Sequence, residues 1–414
     1  MRIAIVGAGV SGLTCAFLLS DVHEVTLFEA DDRLGGHAHT VEVCEGSQTI
    51  PVDTGFLVYN DETYPNFIKL LERLEVTTKE SVMSFSYADE AAKLEWKGSS
   101  LNSVFAQRRN LLRPRFLRMV LDIVSFNRTL RRALRGELDP HMTLGDLLAT
   151  NRWGRGFQEW YLVPMGAAIW SANPQTFTDI PARTFAEFFS RHGLLRVRGM
   201  PTWRTITGGS REYVQRIADH VRARGVVHVA TPVRSVRRFA DHVDVTVDGG
   251  VDTFDHVILA CHSDQALALL IDPSDAEVQV LGAIRYQENE VTLHTDTSIL
   301  PASRRAWAAW NYRRVDDGSL ATLTYNISTL QSIEGPHEYL VSLNSNELID
   351  PNRVIMKLQY AHPVLDQVTV AAQQLRHTLH GGRTSFCGAY FGFGFHEDGV
   401  RSALEVCGAL GVSW

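Results

Sequence analysis

The residues whose types and spacing promise chemistry are three glycines and an acid. Gly7, Gly9 and Gly12 form the run Gly7-Ala8-Gly9-Val10-Ser11-Gly12, and Glu29 follows 20 residues after Gly9. Around a nucleotide diphosphate each has a task. Gly7 makes a tight turn, Gly9 lets backbone approach the pyrophosphate, Gly12 lets a helix pack close to a strand, and Glu29 accepts hydrogen bonds from a ribose. Ser11, inside the turn, is a further candidate contact. A second pair, Gly35 and Gly36, lies between Arg33 and His37 and would bring another backbone segment against a longer, extended dinucleotide. His37 and His39 have His-x-His spacing, but no third ligand motif lies nearby, and no metal is expected. Gly9-Val10-Ser11-Gly12 lacks the spacing of a nucleophile elbow. Cys261 and His262 are adjacent, so along a strand they point to opposite faces and make a poor thiol–imidazole pair.

These residues need elements to hold them. Arg2–Val6 is a short β-branched apolar run, as a buried parallel strand should be, and a helical pattern follows over Leu13–Leu19. Glu24–Phe28 reads as the returning strand and ends at Glu29, completing a βαβ unit. The 414 residues, 45% hydrophobic and 21% charged, suit a soluble globular chain. Single cores stop growing near roughly 250–300 residues, so two domains are expected. The net charge of −7 gives no chain-wide reason to expect nucleic acid. Five cysteines, none spaced Cys-x-x-Cys, argue against a disulfide framework and point to a reducing cytoplasm. The apolar stretch Ile3–Leu19 is broken by glycines and is not read as a signal peptide, and no other stretch has the length to span a bilayer. Arg108 to Arg135 is a local exception, with nine arginines against Asp122 alone. Phe116, Met119, Val120, Ile123, Leu130 and Leu134 fall on one helical face, and Arg118, Asp122, Ser125, Arg128, Arg132 and Arg135 on another. That segment is a solvated substrate-domain helix, a peripheral contact with anionic lipid at the inner membrane surface, or a contact for an acidic substrate group.

Arg33, Gly35 and Gly36 after the ribose acid resemble the Arg-x-Gly-Gly element of the flavin-containing amine oxidase and phytoene desaturase superfamily. Three further places carry the resemblance. TITGGSREYV at 205–214 is similar to the family's Gly-Gly segment, and Val233 to its backbone contact with adenine. Gly388 and the run His396-Glu397-Asp398-Gly399-Val400 resemble its final strand and helix, which would aim a helix N-terminus at the flavin with Val400 as backbone donor. GGHAHT, DTGFLVYN, TYPNF, WNY and GFGFHEDG resemble a bacterial subgroup of NAD/FAD-binding, amine-oxidase-like proteins.

The resemblance implies an α/β fold with FAD as cofactor: a discontinuous Rossmann-like FAD-binding domain (1–80, 205–275 and 380–414) and an α+β substrate domain (81–204 and 276–379). It also implies an FAD-dependent oxidoreductase. Departures from the family pattern shape the expected chemistry. Ala389 follows Gly388 where an acid is common, and His37 stands where Arg is common. The lysines are Lys69, Lys79, Lys93, Lys97 and Lys357, so none falls where amine oxidases place the lysine that holds a water near the flavin; His294 is the remaining candidate. The expectation is hydride removal from an apolar fatty-acyl or isoprenoid-like chain, by dehydrogenation or isomerisation. The alternatives are an amine oxidase releasing peroxide and a non-catalytic flavoprotein partner of a lipid-modifying enzyme. His37, Tyr59, His294 and Phe395 are the candidates for the flavin-facing wall, with no general base assigned. The aromatic segments 153–170 and 185–189 would line an apolar cavity.

Overall fold

A computed structural model describes residues 1–98, 104–139, 141–170, 177–196, 199–314, 322–379 and 382–414. Strand β1 (Arg2–Val6) lies at the centre of a five-stranded parallel sheet. On one side it pairs with β2 (Glu24–Phe28), which carries β3 (Val226–His228) at the edge. On the other it pairs with β4 (His256–Leu259), followed by β5 (Thr384–Phe386). The register Arg2↔Glu24 to Val6↔Phe28 brings the ends of β1 and β2 level, so Gly7 and Glu29 emerge at the same carboxyl edge.

Both faces of the sheet are covered, which explains why β1 is apolar throughout rather than alternating. Ile3 and Ile5 face a core shared with α1 (Val10–Leu19), α2 (Arg211–Arg222), α3 (His396–Ala409) and the helix Pro65–Arg73. Ala4 and Val6 face a second core beneath an antiparallel meander, Val233–Arg238, Val243–Val247 and Gly250–Phe254. Helix α1 begins at Val10, three residues before the sequence pattern suggests, because extended Gly9 serves as its N-cap and Ser11 and Gly12 fit its first turn.

The other half is built on a seven-stranded sheet in the order 354–363, 286–294, 340–343, 322–326, 310–314, 85–89, 94–97. All its pairs are antiparallel except 310–314 with 85–89. A core of aromatic rings joins it to the helices Pro114–Leu134, Leu144–Thr150 and Ala182–Arg191. The parallel sheet thus draws its strands from three separated stretches of chain, with the seven-stranded half in the intervals. The domain boundary expected at residue 380 lies outside the described residues.

Candidate functional site

The glycine turn has a shape only glycines allow. Gly7 has φ +99°, and a Cβ there would come within 2.9 Å of the Cys261 nitrogen. A Cβ on Gly12 would lie 1.9 Å from the Gly7 carbonyl oxygen, so this residue is the close approach of helix to strand. At Gly9 a Cβ would meet nothing within 4 Å. Backbone at Gly9 therefore faces open space, as a cradle for a diphosphate requires. Gly36 lies against this turn, since its Cβ would be 3.2 Å from the Gly9 Cα, and the Gly35 N–H donates to the Ala8 carbonyl at 2.9 Å. Arg33 Nη1 donates to the Gly36 carbonyl at 2.8 Å, which fixes the second glycine pair. Glu29 folds back over the turn and accepts from the Ala8 N–H at 2.7 Å and the Asp31 N–H at 3.0 Å. The segment before Val233 is tied to the same corner, where the Thr231 N–H donates to the Glu29 carbonyl at 2.8 Å.

Rings from distant segments converge beside the turn, since His37 follows Gly36 and His262 follows Cys261, both of which pack on it. The His37 ring centroid lies 4.8 Å from Tyr360, 5.2 Å from His362 and 6.2 Å from His262. His262 stacks on Tyr286 at 4.4 Å. Burial and the neighbouring His362, His262, His396 and Arg33 hold the His37 imidazole well below its ordinary value. Burial lowers His362 to about 4, and its Nδ1 accepts from Asn289 Nδ2 at 3.0 Å, which leaves the proton on Nε2. These imidazoles are neutral near pH 7. His37 Nε2 and the Tyr390 hydroxyl, next door to Ala389, are buried without a partner among the described residues. A buried polar atom with no partner is costly, and a ligand rich in acceptors would satisfy both. The open cradle and these two atoms fit an extended dinucleotide.

The junction of the two halves is aromatic. Phe395 packs against both cores, with ring centroids 5.3 Å from Phe188 and 5.6 Å from His192. Asp398 sets its loop, accepting from the Phe393 N–H at 2.9 Å and the Phe395 N–H at 3.1 Å while Arg401 donates to its other oxygen at 2.7 Å. Glu397 accepts from the Asn66 and Phe67 N–H groups at the start of a neighbouring helix, and His396 Nε2 shares a 3.0 Å hydrogen bond with the Tyr213 hydroxyl. Asp53, which the sequence did not single out, is a buried hub: Thr40, Ser210 and Gln331 all donate to it, and burial raises it to about 6.

Several expected residues are placed elsewhere. Ser11 is 3% exposed and its Oγ donates to the Gly399 carbonyl at 3.0 Å, so its side chain clamps α1 to α3. Val400 is the fifth residue of α3; the Gly399 N–H already bonds Phe395 O at 3.1 Å, and the same ladder takes the Val400 N–H. Donors left for a ligand belong to His396, Glu397 and Asp398. Gly388 donates its N–H to Ser402 Oγ at 3.1 Å, and a Cβ there would strike the Tyr390 ring. Tyr59 is a core residue between Tyr64 and Phe67. His294 has both ring nitrogens engaged, one with Ser342 Oγ at 2.8 Å and the other accepting from the Asp296 N–H at 3.1 Å. It ends the strand that Tyr286 begins, about 26 Å away at the usual rise, so it does not join His37. The one lysine of the neighbouring strand, Lys357, is exposed.

The sequence profile of the Flavin containing amine oxidoreductase family matches residues 10–326. The "Putative flavin-containing monoamine oxidase AofH" of Mycobacterium tuberculosis is 26% identical over 289 residues, an alignment covering 66% of this chain and 59% of that protein. The chain thus aligns with less than two thirds of that relative's length. Among solved structures, cyclohexylamine oxidase from Brevibacterium oxydans superposes with a TM-score of 0.68 at 16% identity, covering 99% of this chain and 98% of that one. A fatty acid isomerase from P. acnes does so at 0.70 and 13%, with coverage of 99% and 98%. At such identities the structures share the fold alone.

Proposed function

The chain belongs to the flavin-containing amine oxidoreductase family, with FAD as its cofactor, and from that premise we propose an oxidoreductase that takes hydride from an apolar chain, fatty-acyl or isoprenoid-like, in a dehydrogenation or isomerisation. FAD, when bound, supplies the two-electron acceptor. The turn at Gly7–Gly12, the pair Gly35–Gly36 and Glu29 would hold its dinucleotide, with His37 Nε2 and the Tyr390 hydroxyl as added donors. Phe188, Phe393 and Phe395 exclude water at the junction, and Asp398 positions the loop that bears two of them.

The observation that carries this reading is the ring-lined junction at Phe395. Its imidazole neighbour His192 is held neutral, at about 4, by burial. Glu397 and Asp398, in the first turn of the helix that follows Phe395, both accept from backbone donors, so neither offers a free carboxylate to a cationic amine. A second reading, an amine oxidase, is supported by the name of the Mycobacterium relative. The two separate when the yellow protein is mixed anaerobically with fatty acids and isoprenoids, then with primary and secondary amines. Loss of flavin colour with lipid supports the first; colour lost only with amines overturns it. Colour retained throughout, with a stable complex to a lipid-modifying enzyme, supports a non-catalytic role.

A further inference from the structure

The helix Pro114–Leu134 has an outward face that a solvated helix does not have. Its inner face is conventional: Phe116, Met119, Phe126, Leu130 and Ala133 are buried in the aromatic core. Outside, Leu117, Leu121 and Val124 recur at i, i+4 and i+7 and form one exposed line, with Leu121 at 71% and Val124 at 56% exposure. Leu112, in the short turn just before the helix, is 86% exposed and Leu111 lies beside it. Exposed apolar residues gathered in one stripe mark a contact surface, whereas scattered ones do not.

Charge identifies what makes the contact. The same line continues through Arg128, Arg131 and Arg135, flanked by Arg118 and Arg132. Residues 108–135 hold nine arginines and one acid, a net charge of 9 − 1 = +8, while the whole chain is at −7. Asp122, the one acid, is turned inward to accept from the Gly154 N–H at 2.8 Å. Arg132 and Arg135 share the single carboxylate of Glu137, and Arg128 has no ion-pair partner among the described residues. We propose that this face docks on an anionic lipid bilayer, with Leu112, Leu117, Leu121 and Val124 entering the acyl boundary and the arginines meeting headgroup phosphates.

Other occupants match only part of the surface. A nucleic acid would use the arginines and leave the leucines in water. A second copy packed symmetrically on the same face would bring two arginine-rich surfaces together. No helix among the described residues is long and apolar enough to cross a membrane, so the contact is peripheral. Rings link this helix to the junction: Phe126 contacts Phe185, Phe185 contacts Trp170, Trp170 contacts Phe188, and Phe188 contacts Phe395. Docking is independent of the reaction proposed above, and its test reads binding rather than turnover.

The full-length flavin-loaded protein is sedimented with phosphatidylcholine vesicles and with vesicles in which phosphatidylglycerol replaces part of the phosphatidylcholine. Binding is expected only to the second kind and should weaken as salt is raised. The double variant Leu112→Gln/Leu121→Gln should lower partitioning about tenfold or more, and Arg128→Glu/Arg132→Glu by a similar factor, with melting temperatures unchanged because all four side chains are exposed. No binding to anionic vesicles, or equal binding to both kinds, overturns the proposal. So does a loss confined to the arginine variant, which would indicate a hydrophilic polyanion. A dimer in solution that the leucine variant dissociates would assign the stripe to a second copy.

Discussion

Main chain forms the surface at the glycine turn, whereas rings form it around His37 and at the junction of the two halves. The cradle is made of Gly7, Gly9, Gly12, Gly35 and Gly36, all within 30 residues, and its shape follows from where a Cβ has room. The rings, His37 with His262, Tyr360 and His362, and Phe395 with Phe188 and His192, come from five stretches of chain. A surface of the first kind tolerates almost no added atom at its closest points. One of the second kind is governed by burial, which sets protonation states as well as shape.

The sharpest test of this contrast is a pair of glycine variants. Gly12→Val places side-chain atoms on the Gly7 carbonyl and should cost about 4 kcal/mol or more, with loss of bound flavin. Gly9→Ala has free space for its methyl and should leave the flavin-free protein within about 0.5 kcal/mol of the parent while flavin retention falls. Absorbance per protein and thermal melts measure both; a Gly9→Ala protein that stays yellow would break the cradle's assignment.

The ring side should respond to acid instead. An unfolded histidine titrates near 6.5, whereas burial holds His192 at about 4 and His396 at about 3. The unfolded chain therefore takes up these protons first as pH falls, so their contribution is complete above about 6.5 and is lost on the way down to 4. At pH 5 the loss is about 2 kcal/mol for each. His362 and His39, both near 4, act in the same direction. A melting temperature equal at pH 7.5 and pH 5 would exclude neutral buried imidazoles.

Between these regions lies Asp398, which fixes the loop carrying Phe393 and Phe395. Asp398→Ala removes the acceptor for two backbone N–H groups and should cost about 2 kcal/mol, read by chemical denaturation. The smallest effect belongs to Tyr390→Phe. Removing a buried hydroxyl without a partner should stabilise the flavin-free protein by about 1 kcal/mol and weaken FAD binding, as followed by titration of the flavin-free form. If the flavin-free variant were less stable than the parent, the hydroxyl must have a protein partner.

The same contrast explains what could be read from the sequence. Gly7, Gly9, Gly12 and Glu29 were legible because a βαβ unit encodes its turn within one short run of residues. His362, Tyr360 and Tyr390 carried no signal, since their neighbours lie far away along the chain and imidazoles alternating on a strand look like any half-buried face. Ser11 and Val400 were expected at the groove because they sit in the right motifs, yet the contact between two helices absorbed them. His294 was chosen for lack of a lysine, and strand length places it at the wrong end. On the basic helix, sequence periodicity assigned Asp122 to the solvated face. The structure turns it toward Gly154 while Arg118, Ser125, Arg128, Arg132 and Arg135 stay exposed, and Leu117, Leu121 and Val124 are exposed beside them.

The clamp between Ser11 and Gly399 bridges 388 positions along the chain. A ribosome making this protein therefore finishes the glycine loop long before it supplies the helix that backs it. Until residues 396–409 leave the exit tunnel, the side of the first helix that carries Ser11 and Cys15 lacks part of its cover. Cofactor capture should therefore wait on that helix, and a chain stalled before it exposes apolar surface of the kind that chaperones bind.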